Sequence, residues 1–407
     1  MPERAPDYFP TDAANFILTL GRALHTYGYA AHRLEAVLGL AARQLGVEAQ
    51  FFSTPTSIFA SFGAMDRQRT YMIRVEPGDH DLGKLEQVDQ IVLKVLKGEM
   101  TPSEGSAQIA LVGSAPPRYG KGMMVAAFAL TSGAATRFLG GGTHEILVGT
   151  LLGLVIGLVS LLAARYAALA RVFEPVASFA AAFLASALSH IYPHSVFTAT
   201  LAGLIVLVPG FTLTVAMIEL STRHLSSGTS RLSAAFMTFL GIAFGVALGN
   251  MLATQLFGPS VNAAIGPVPS WFNLLALLLA PLGFLVLLKA EPRDAPWFVV
   301  TGALAFYASR LGAILVGPEL GSFVGAFAVG VASNVLARVL DRPSQVYQVP
   351  GILLLVPGSV GVRSLAALMD RQVVSGVETA FTMVVIAVSI VSGILISNVV
   401  LPRRRLP

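Results

Sequence analysis

The stretch Ile205–Leu232, IVLVPGFTLTVAMIELSTRHLSSGTSRL, decides how the whole chain is read. It is apolar enough to cross a bilayer, yet Pro209 and Gly210 stand in its middle. Proline inside a helix removes one backbone hydrogen bond and clashes with the preceding turn, at ~3 kcal/mol or more. Glycine beside it costs about another 1 kcal/mol against helix. The same pair stands inside Leu353–Phe381, LLLVPGSVGVRSLAALMDRQVVSGVETAF. A single break can be an accident of packing. Two at matched positions need a common cause.

The 407 residues are 55% hydrophobic and 12% charged, whereas soluble domains carry about 25% charged residues. The shortfall comes from apolar runs after Lys121, many of which reach the ~20 residues a bilayer span needs. The chain therefore reads as a polytopic α-helical membrane protein. It contains no cysteine, which excludes disulfides, thiolate metal sites and cysteine nucleophiles. The opening MPERAPDYFPTDAANF lacks a basic segment followed by an apolar one, so we expect no cleaved signal peptide and a cytoplasmic N-terminus. The net charge of +5 sits at the ends of apolar runs rather than on a nucleic-acid-binding face.

Residues 1–118 hold most of the mixed-charge sequence and read as a small cytoplasmic α+β domain. DAANFILTLGRALHTYG and AAHRLEAVLGLAARQLG show helical spacing and end at glycine. VEAQFFSTPTSIFASF and RTYMIRV read as short strands, and two more helices are expected near 82–97 and 102–113. Ten spans follow, five near 122–139, 146–164, 174–191, 196–220 and 230–256. The other five lie near 271–288, 296–317, 319–338, 345–368 and 376–401. They divide into one membrane repeat over 119–258 and a second over 259–407. The inner loops then hold Arg165, Arg171, Arg223, Arg231, Lys289, Arg293, Arg338, Arg342 and Arg403 to Arg405. The outer side has only Arg371, with Arg137 at its margin, the asymmetry that the positive-inside rule requires.

Slid by 148 residues, Pro209-Gly210 falls on Pro357-Gly358 and Ser227-Gly228 on Ser375-Gly376. The same shift puts Gly245 on Gly393 and Asn250 on Asn398. Upstream, a shift of 144 matches SFAAAF at Ser178 with SFVGAF at Ser322. Each repeat has an odd number of spans, so the second enters the membrane inverted, a recurring plan of secondary transporters. A helix break near mid-membrane is tolerable only where protein or water shields it. The half-helix beginning there turns its N–H groups and positive dipole end inward, suited to a carboxylate. Pro209, Gly210, Pro357 and Gly358, with the hydroxyls of Thr212, Thr214 and Ser359, are thus the candidate substrate site. The plain alternative is a kink that only helps helices pack.

Other residues add to this. LGRALHTYGYAAHRLEAVLGLAARQLGVEAQFFSTPTSIFASF resembles the head of the threonine/serine exporter family. FLGGGTHE is similar to that family's Gly-Gly stretch followed by an acidic residue, and the VPG…SG modules to its membrane repeats. The resemblance runs over about residues 12–400. It implies a cytoplasmic head fused to ten spans, in a bacterial inner membrane with both termini cytoplasmic. It implies export of small hydroxy-amino acids, driven by a proton gradient or membrane potential. Related systems split over two chains are associated with dicarboxylate export, so the substrate stays open between these classes.

Ionisable groups inside spans are functional candidates because burying them is costly. Arg363 follows Gly358 by five residues and is a candidate to hold a substrate carboxylate; Arg310 is a lesser one. Glu219 and Glu145 are candidates for proton coupling. Against that stand a solvated boundary role for Glu219 near Arg223 and a helix-cap role for Glu145, which follows three glycines. Asn250 and Asn398 read as interhelical bonds. His144, His190 and His194 lack metal-ligand spacing, and we expect neither metal nor cofactor. In the head, Ser53, Ser57, His25, His32 and Asp66 are hydrolase components without a GxSxG, P-loop or HExxH frame. We expect no enzyme, although a membrane-anchored enzyme or sensor is the alternative class. The expected partners are a small-molecule substrate and the lipid bilayer, not nucleic acid; a second copy of the chain remains open.

Overall fold

A computed structural model describes residues 11–402 apart from 77, 79 and 370; Arg403 to Arg405 therefore lie outside the described residues. In the head, α1 (Thr11–Thr26) and α2 (Ala31–Gln44) bury the apolar faces that their spacing defines, with Phe16, Ile17, Leu20, Leu34 and Leu38 enclosed. VEAQFFSTPTSIFASF forms a strand pair: β1 (Ala49–Thr54) turns at Pro55-Thr56 into β2 (Ser57–Phe62). Thr54 Oγ1 closes that turn by accepting the Ser57 N–H at 3.1 Å. β3 (Arg69–Arg74) completes an antiparallel meander in the order β1-β2-β3. Next come α3 (Leu82–Leu96), capped by Asp81, and α4 (Pro102–Ser114), opened by a Thr101–Glu104 capping box. The expected helices and short strands of this part are present.

Its core does not close on itself. Leu285, Ala290, Phe298, Val346, Tyr347 and Val349, all far along the chain, belong to the same buried cluster as Phe16 and Leu34. The head is thus seated in the second half of the membrane region.

That region is helical throughout. Its first half comprises α5 (Lys121–Phe138), α6 (Thr143–Arg165), the short α7 (Ala167–Ala170), α8 (Phe173–Ser189), α9 (Val196–Gly203), α10 (Gly210–Ser221) and α11 (Leu225–Phe257). The second comprises α12 (Trp271–Leu287), α13 (Ala295–Val316), α14 (Pro318–Val339), α15 (Gln345–Leu355), α16 (Gly358–Met369) and α17 (Val373–Val400). Among the described residues six helical stretches are long and apolar enough to cross a membrane, with three shorter apolar helices beside them. The chain is a polytopic helical membrane protein.

Helix stops after Gly203 and restarts at Gly210, and it stops after Leu355 and restarts at Gly358, so both Pro-Gly pairs are true breaks. At the first, Ser132 Oγ donates to the freed carbonyl of Gly203 at 3.1 Å and Gly210 N–H donates to Val208 O at 2.8 Å. Protein groups replace the missing helical bonds, as the absence of water in hydrocarbon demands.

Packing recurs between the halves. Gly228 lies against Leu220 and Gly376 against Leu368, which keeps the 148-residue offset. Further along, Gly249 faces Phe179 O and Phe183 N, while Gly393 faces Phe323 O and Phe327 N. Phe179 and Phe183 stack at 6.0 Å and 15°, and Phe323 and Phe327 at 6.3 Å and 14°. The offset there is 144, so the partner of Gly393 is Gly249 and not Gly245. Gly245 packs one turn earlier, against Pro175 O. Four residues, close to one helical turn, drop out between Gly228 and Gly249, which is why the two glycines are easily exchanged in an alignment. Asn250 and Asn398 bond between helices as expected, Asn250 to Ser186 at 2.9 Å and Asn398 to Asn334 at 3.0 Å.

Candidate functional site

The two breaks meet. A Cβ built on Gly210 would stand 2.9 Å from Val356 Cγ2 and 3.1 Å from Gly358 Cα. One built on Gly358 would stand 2.6 Å from Val208 Cγ1 and 3.3 Å from Gly210 Cα. Only glycine allows this backbone-to-backbone crossing. It also fills the space that the sequence reading kept for a ligand, so the two glycines serve the crossing itself.

Room for a ligand lies beside it, towards the head. A cavity of about 370 Å³ is lined by α10, α15 and α17 and closed by head residues Tyr27, His32, Arg33 and His80. That volume is within the ~300–1,000 Å³ of small-molecule sites. Of the residues singled out above, Thr214 lines it, with its Oγ1 donating to Gly210 O at 3.0 Å. Asn398 and His32 line it too. Pro209 and Pro357 are buried at the crossing, while Thr212 and Ser359 are half-buried next to it. Arg363 is exposed on α16 and outside the cavity, and Arg310 is exposed with its guanidinium over the Phe306 ring. The expected carboxylate-holding place of Arg363 is therefore not one that this packing provides.

Arg33 is the charged group that the cavity does contain. Its Nη2 donates to Gln348 Oε1 at 3.1 Å, and burial pushes its pKa down to about 10, which leaves it a cation at neutral pH. Among the described residues no Asp or Glu lines the cavity. Sequence reading passed over Arg33, although a signal exists. His32 and Arg33 occupy the first turn of α2, where the helix dipole disfavours cations.

The seam around the cavity is polar and buried. Glu219, expected as a solvated residue near Arg223, is 0% exposed. Arg231 Nε donates to both its oxygens at 3.1 and 3.0 Å, and its Oε1 also accepts the Ala31 N–H at 2.9 Å. The last turn of α10 thus caps the first turn of α2. Beside it, Ser227 Oγ donates to Ser53 O at 3.0 Å, and His224 Nε2 lies 3.3 Å from Glu35 Oε2. A second tie joins Glu86 of α3 to Arg293 at 3.0 Å and Arg342 at 3.1 Å, with Asp294 2.7 Å from Arg342. Burial raises the pKa of Glu86 against the pull of these arginines.

The hydrolase components are engaged with other partners. Ser53 Oγ donates to Glu35, Ser57 Oγ pairs with Thr54, His25 Nε2 donates to Thr54 O, and Asp66 pairs with Arg67 at the surface. Glu145 lies at the opposite end of the helices. Its oxygens accept the N–H groups of Gly142 at 2.8 Å and Ser195 at 2.7 Å, so it caps the starts of α6 and α9. Among the described residues no group of His, Asp and Glu is arranged to hold a metal.

His32 makes the seam sensitive to acid. Burial, then the nearby Arg33, pushes its pKa from 6.5 down to about 3, and among the described residues its Nδ1 has no hydrogen-bond partner. The unfolded or undocked chain binds this proton first, so its contribution is present above about pH 6.5 and lost as pH falls towards 3. His25 is lowered by burial and acts in the same sense. Lowering pH from about 7.5 to about 5.5 should cost the seam on the order of 1 kcal/mol through His32. The hydrogen-exchange protection of the α2 amides, taken relative to the intrinsic exchange rate at each pH, should fall over that interval, and His32→Gln should flatten the change. An unchanged pH profile in that variant would refute the assignment.

A family model described as "Putative threonine/serine exporter" matches residues 15–253, more than half of the chain. A second, "Threonine/Serine exporter, ThrE", matches residues 273–400. Pheromone-regulated membrane protein 10 of Eremothecium gossypii is 26% identical over 91% of this chain and 50% of its own length. The Saccharomyces cerevisiae protein of that name is also 26% identical, over 91% of this chain and 48% of its own length. The chain thus spans about half the length of these curated relatives. They are fungal and lend no support to the expected bacterial inner membrane. No solved structure matches. The extent of the two family matches, over the head and both halves of the membrane region, places the chain in the threonine/serine exporter family.

Proposed function

We propose that the chain is a secondary exporter of small polar metabolites, threonine and serine first among them, whose substrate occupies the cavity between head and membrane helices. The observation that carries this is the crossing of two broken helices at Gly210 and Gly358, with a small-molecule cavity directly beside it. The reading takes residues 1–118, 119–258 and 259–407 as head, first repeat and second repeat. The α9–α10 and α15–α16 pairs each count as one interrupted span, giving ten. The repeats are inverted. In support, α10 runs from its break to the head, where Glu219 meets Ala31, whereas α17 returns to the head at Asn398 and Pro402, so α16 runs away from it. Arg223, Arg231, Lys289, Arg293 and Arg342 gather near the head, which supports a cytoplasmic head.

A rocking of one repeat against the other about the crossing would open the cavity alternately to each side. Glu219 is the better placed of the two coupling candidates, because a proton on it would weaken both the Arg231 pair and the cap on α2. Glu145 holds two helix starts at the far end and would act there. A second reading, export of a dicarboxylate such as succinate, is favoured by one observation. Among the described residues the cavity lining includes an arginine and no carboxylate to receive an ammonium group.

Purified protein in proteoliposomes, loaded with labelled threonine, serine or succinate, should release substrate when a pH gradient or membrane potential is imposed. Release of succinate alone selects the second reading. No gradient-dependent movement of any of the three overturns both.

A further inference from the structure

The geometry points to Arg33, a residue of the head, as the group that holds the substrate carboxylate, so that the head completes the binding site instead of merely covering it. This rests on the cavity being the substrate site. Arg33 lines the cavity from α2, half-buried. Among the described residues no carboxylate pairs with it, and its side-chain partner is the neutral Gln348 at 3.1 Å. The other titratable groups in the lining are Tyr27, His32 and His80, and His32 is held neutral by burial. A guanidinium presents five N–H donors in a planar fork, and one hydrogen bond to an amide oxygen leaves the others for an anion. A carboxylate on that fork would gain charge-assisted, bidentate hydrogen bonds in a cavity whose remaining walls are largely apolar. The amide of Gln345, also in the lining, supplies both a donor and an acceptor for the hydroxyl or ammonium end of a small substrate. Arg363, exposed on α16, offers no such enclosure.

The test uses the full chain in proteoliposomes, with L-threonine, succinate and threoninol, in which CH2OH replaces the carboxylate. Losing a charged hydrogen bond of about 1.5–3 kcal/mol corresponds to roughly 10- to 100-fold. Arg33→Gln should therefore raise the KM for threonine or succinate by about that factor while changing threoninol little. Arg33→Lys should recover part of the loss, since it keeps the charge without the fork. Gln348→Leu serves as the structural comparison, because it removes the Arg33–Gln348 bond and leaves the guanidinium in place. It should preserve the preference for carboxylates.

If Arg33→Gln and Gln348→Leu weaken all three probes equally, Arg33 only docks the head and the proposal is overturned. Calorimetric binding of threonine and succinate to the detergent-solubilised protein separates this from the exporter reading. Binding that Arg33→Gln abolishes upholds the site even where no flux is seen. No binding of either carboxylate to the unmodified chain overturns it.

Discussion

Arg231→Met should detach the head from the membrane helices while leaving their helix content intact. Glu219 is fully enclosed, and Arg231 grips both its oxygens. Removing one member of such a pair leaves an uncompensated buried charge, at ~3–5 kcal/mol. The same carboxylate carries the cap on Ala31, so the disturbance passes straight into α2. Exchange of the Ala31 amide should accelerate by two orders of magnitude or more, on the basis of about 1.4 kcal/mol per tenfold, and the 115–120 linker should become open to protease. Replacing both partners, Glu219→Leu with Arg231→Met, should recover most of the loss, because apolar isosteres of a buried pair are often neutral or better. The shortfall should be the lost cap, typically ~1 kcal/mol. Should the single Arg231→Met variant keep slow exchange at Ala31, the seam is held elsewhere, with the Glu86 cluster as the next place to look.

The second large effect is expected at the crossing. Gly210→Leu and Gly358→Leu should each abolish flux in protein that still reaches the membrane. Even a single Cβ at Gly358 would come within 2.6 Å of Val208 Cγ1, and a leucine must force the broken helices apart. Overpacking of that kind costs ~1–3 kcal/mol, too little to unfold the membrane region but enough to change how two half-helices meet. Gly245 and Gly393 are unsuitable as controls, since a Cβ there would collide with Pro175 O and stand 2.6 Å from Phe323 O respectively. Gly122 in α5, with nothing within 4 Å, is the proper comparison, and Gly122→Ala should transport normally. Normal flux in both leucine variants would show that the crossing is a fixed joint with no part in transport.

The breaks were legible because proline and glycine state their conformational demands locally, and their repetition at one spacing was visible without a partner. The head hairpin was half legible. The β-formers of VEAQFFSTPTSIFASF announced short strands, but not which residues pair across the Pro55-Thr56 turn. The enclosure of Glu219 could not be read, because what surrounds it includes a backbone N–H 188 residues away. Arg363 misled for a related reason. Its height in the bilayer follows from counting residues past Gly358, but the side of the helix that faces neighbours depends on contacts that one sequence does not display. Arg33 was present in plain view at the wrong end of a helix for a cation, a local conflict of the sort that marks functional positions.

The core that the head shares with residues 285–349 also fixes an order of events in biosynthesis. The last head residue in that cluster to leave the ribosome is Ile109, and Val349 follows 240 residues later. At ~5–20 residues per second the interval is roughly 12–50 s. Through it the nascent head keeps uncovered the apolar surface destined for Leu285, Phe298 and Tyr347, while the first half of the membrane region is already being threaded into the bilayer. A chaperone-sized delay is thus written into the chain order, and the head finishes folding only when the second half of the membrane region arrives to receive it.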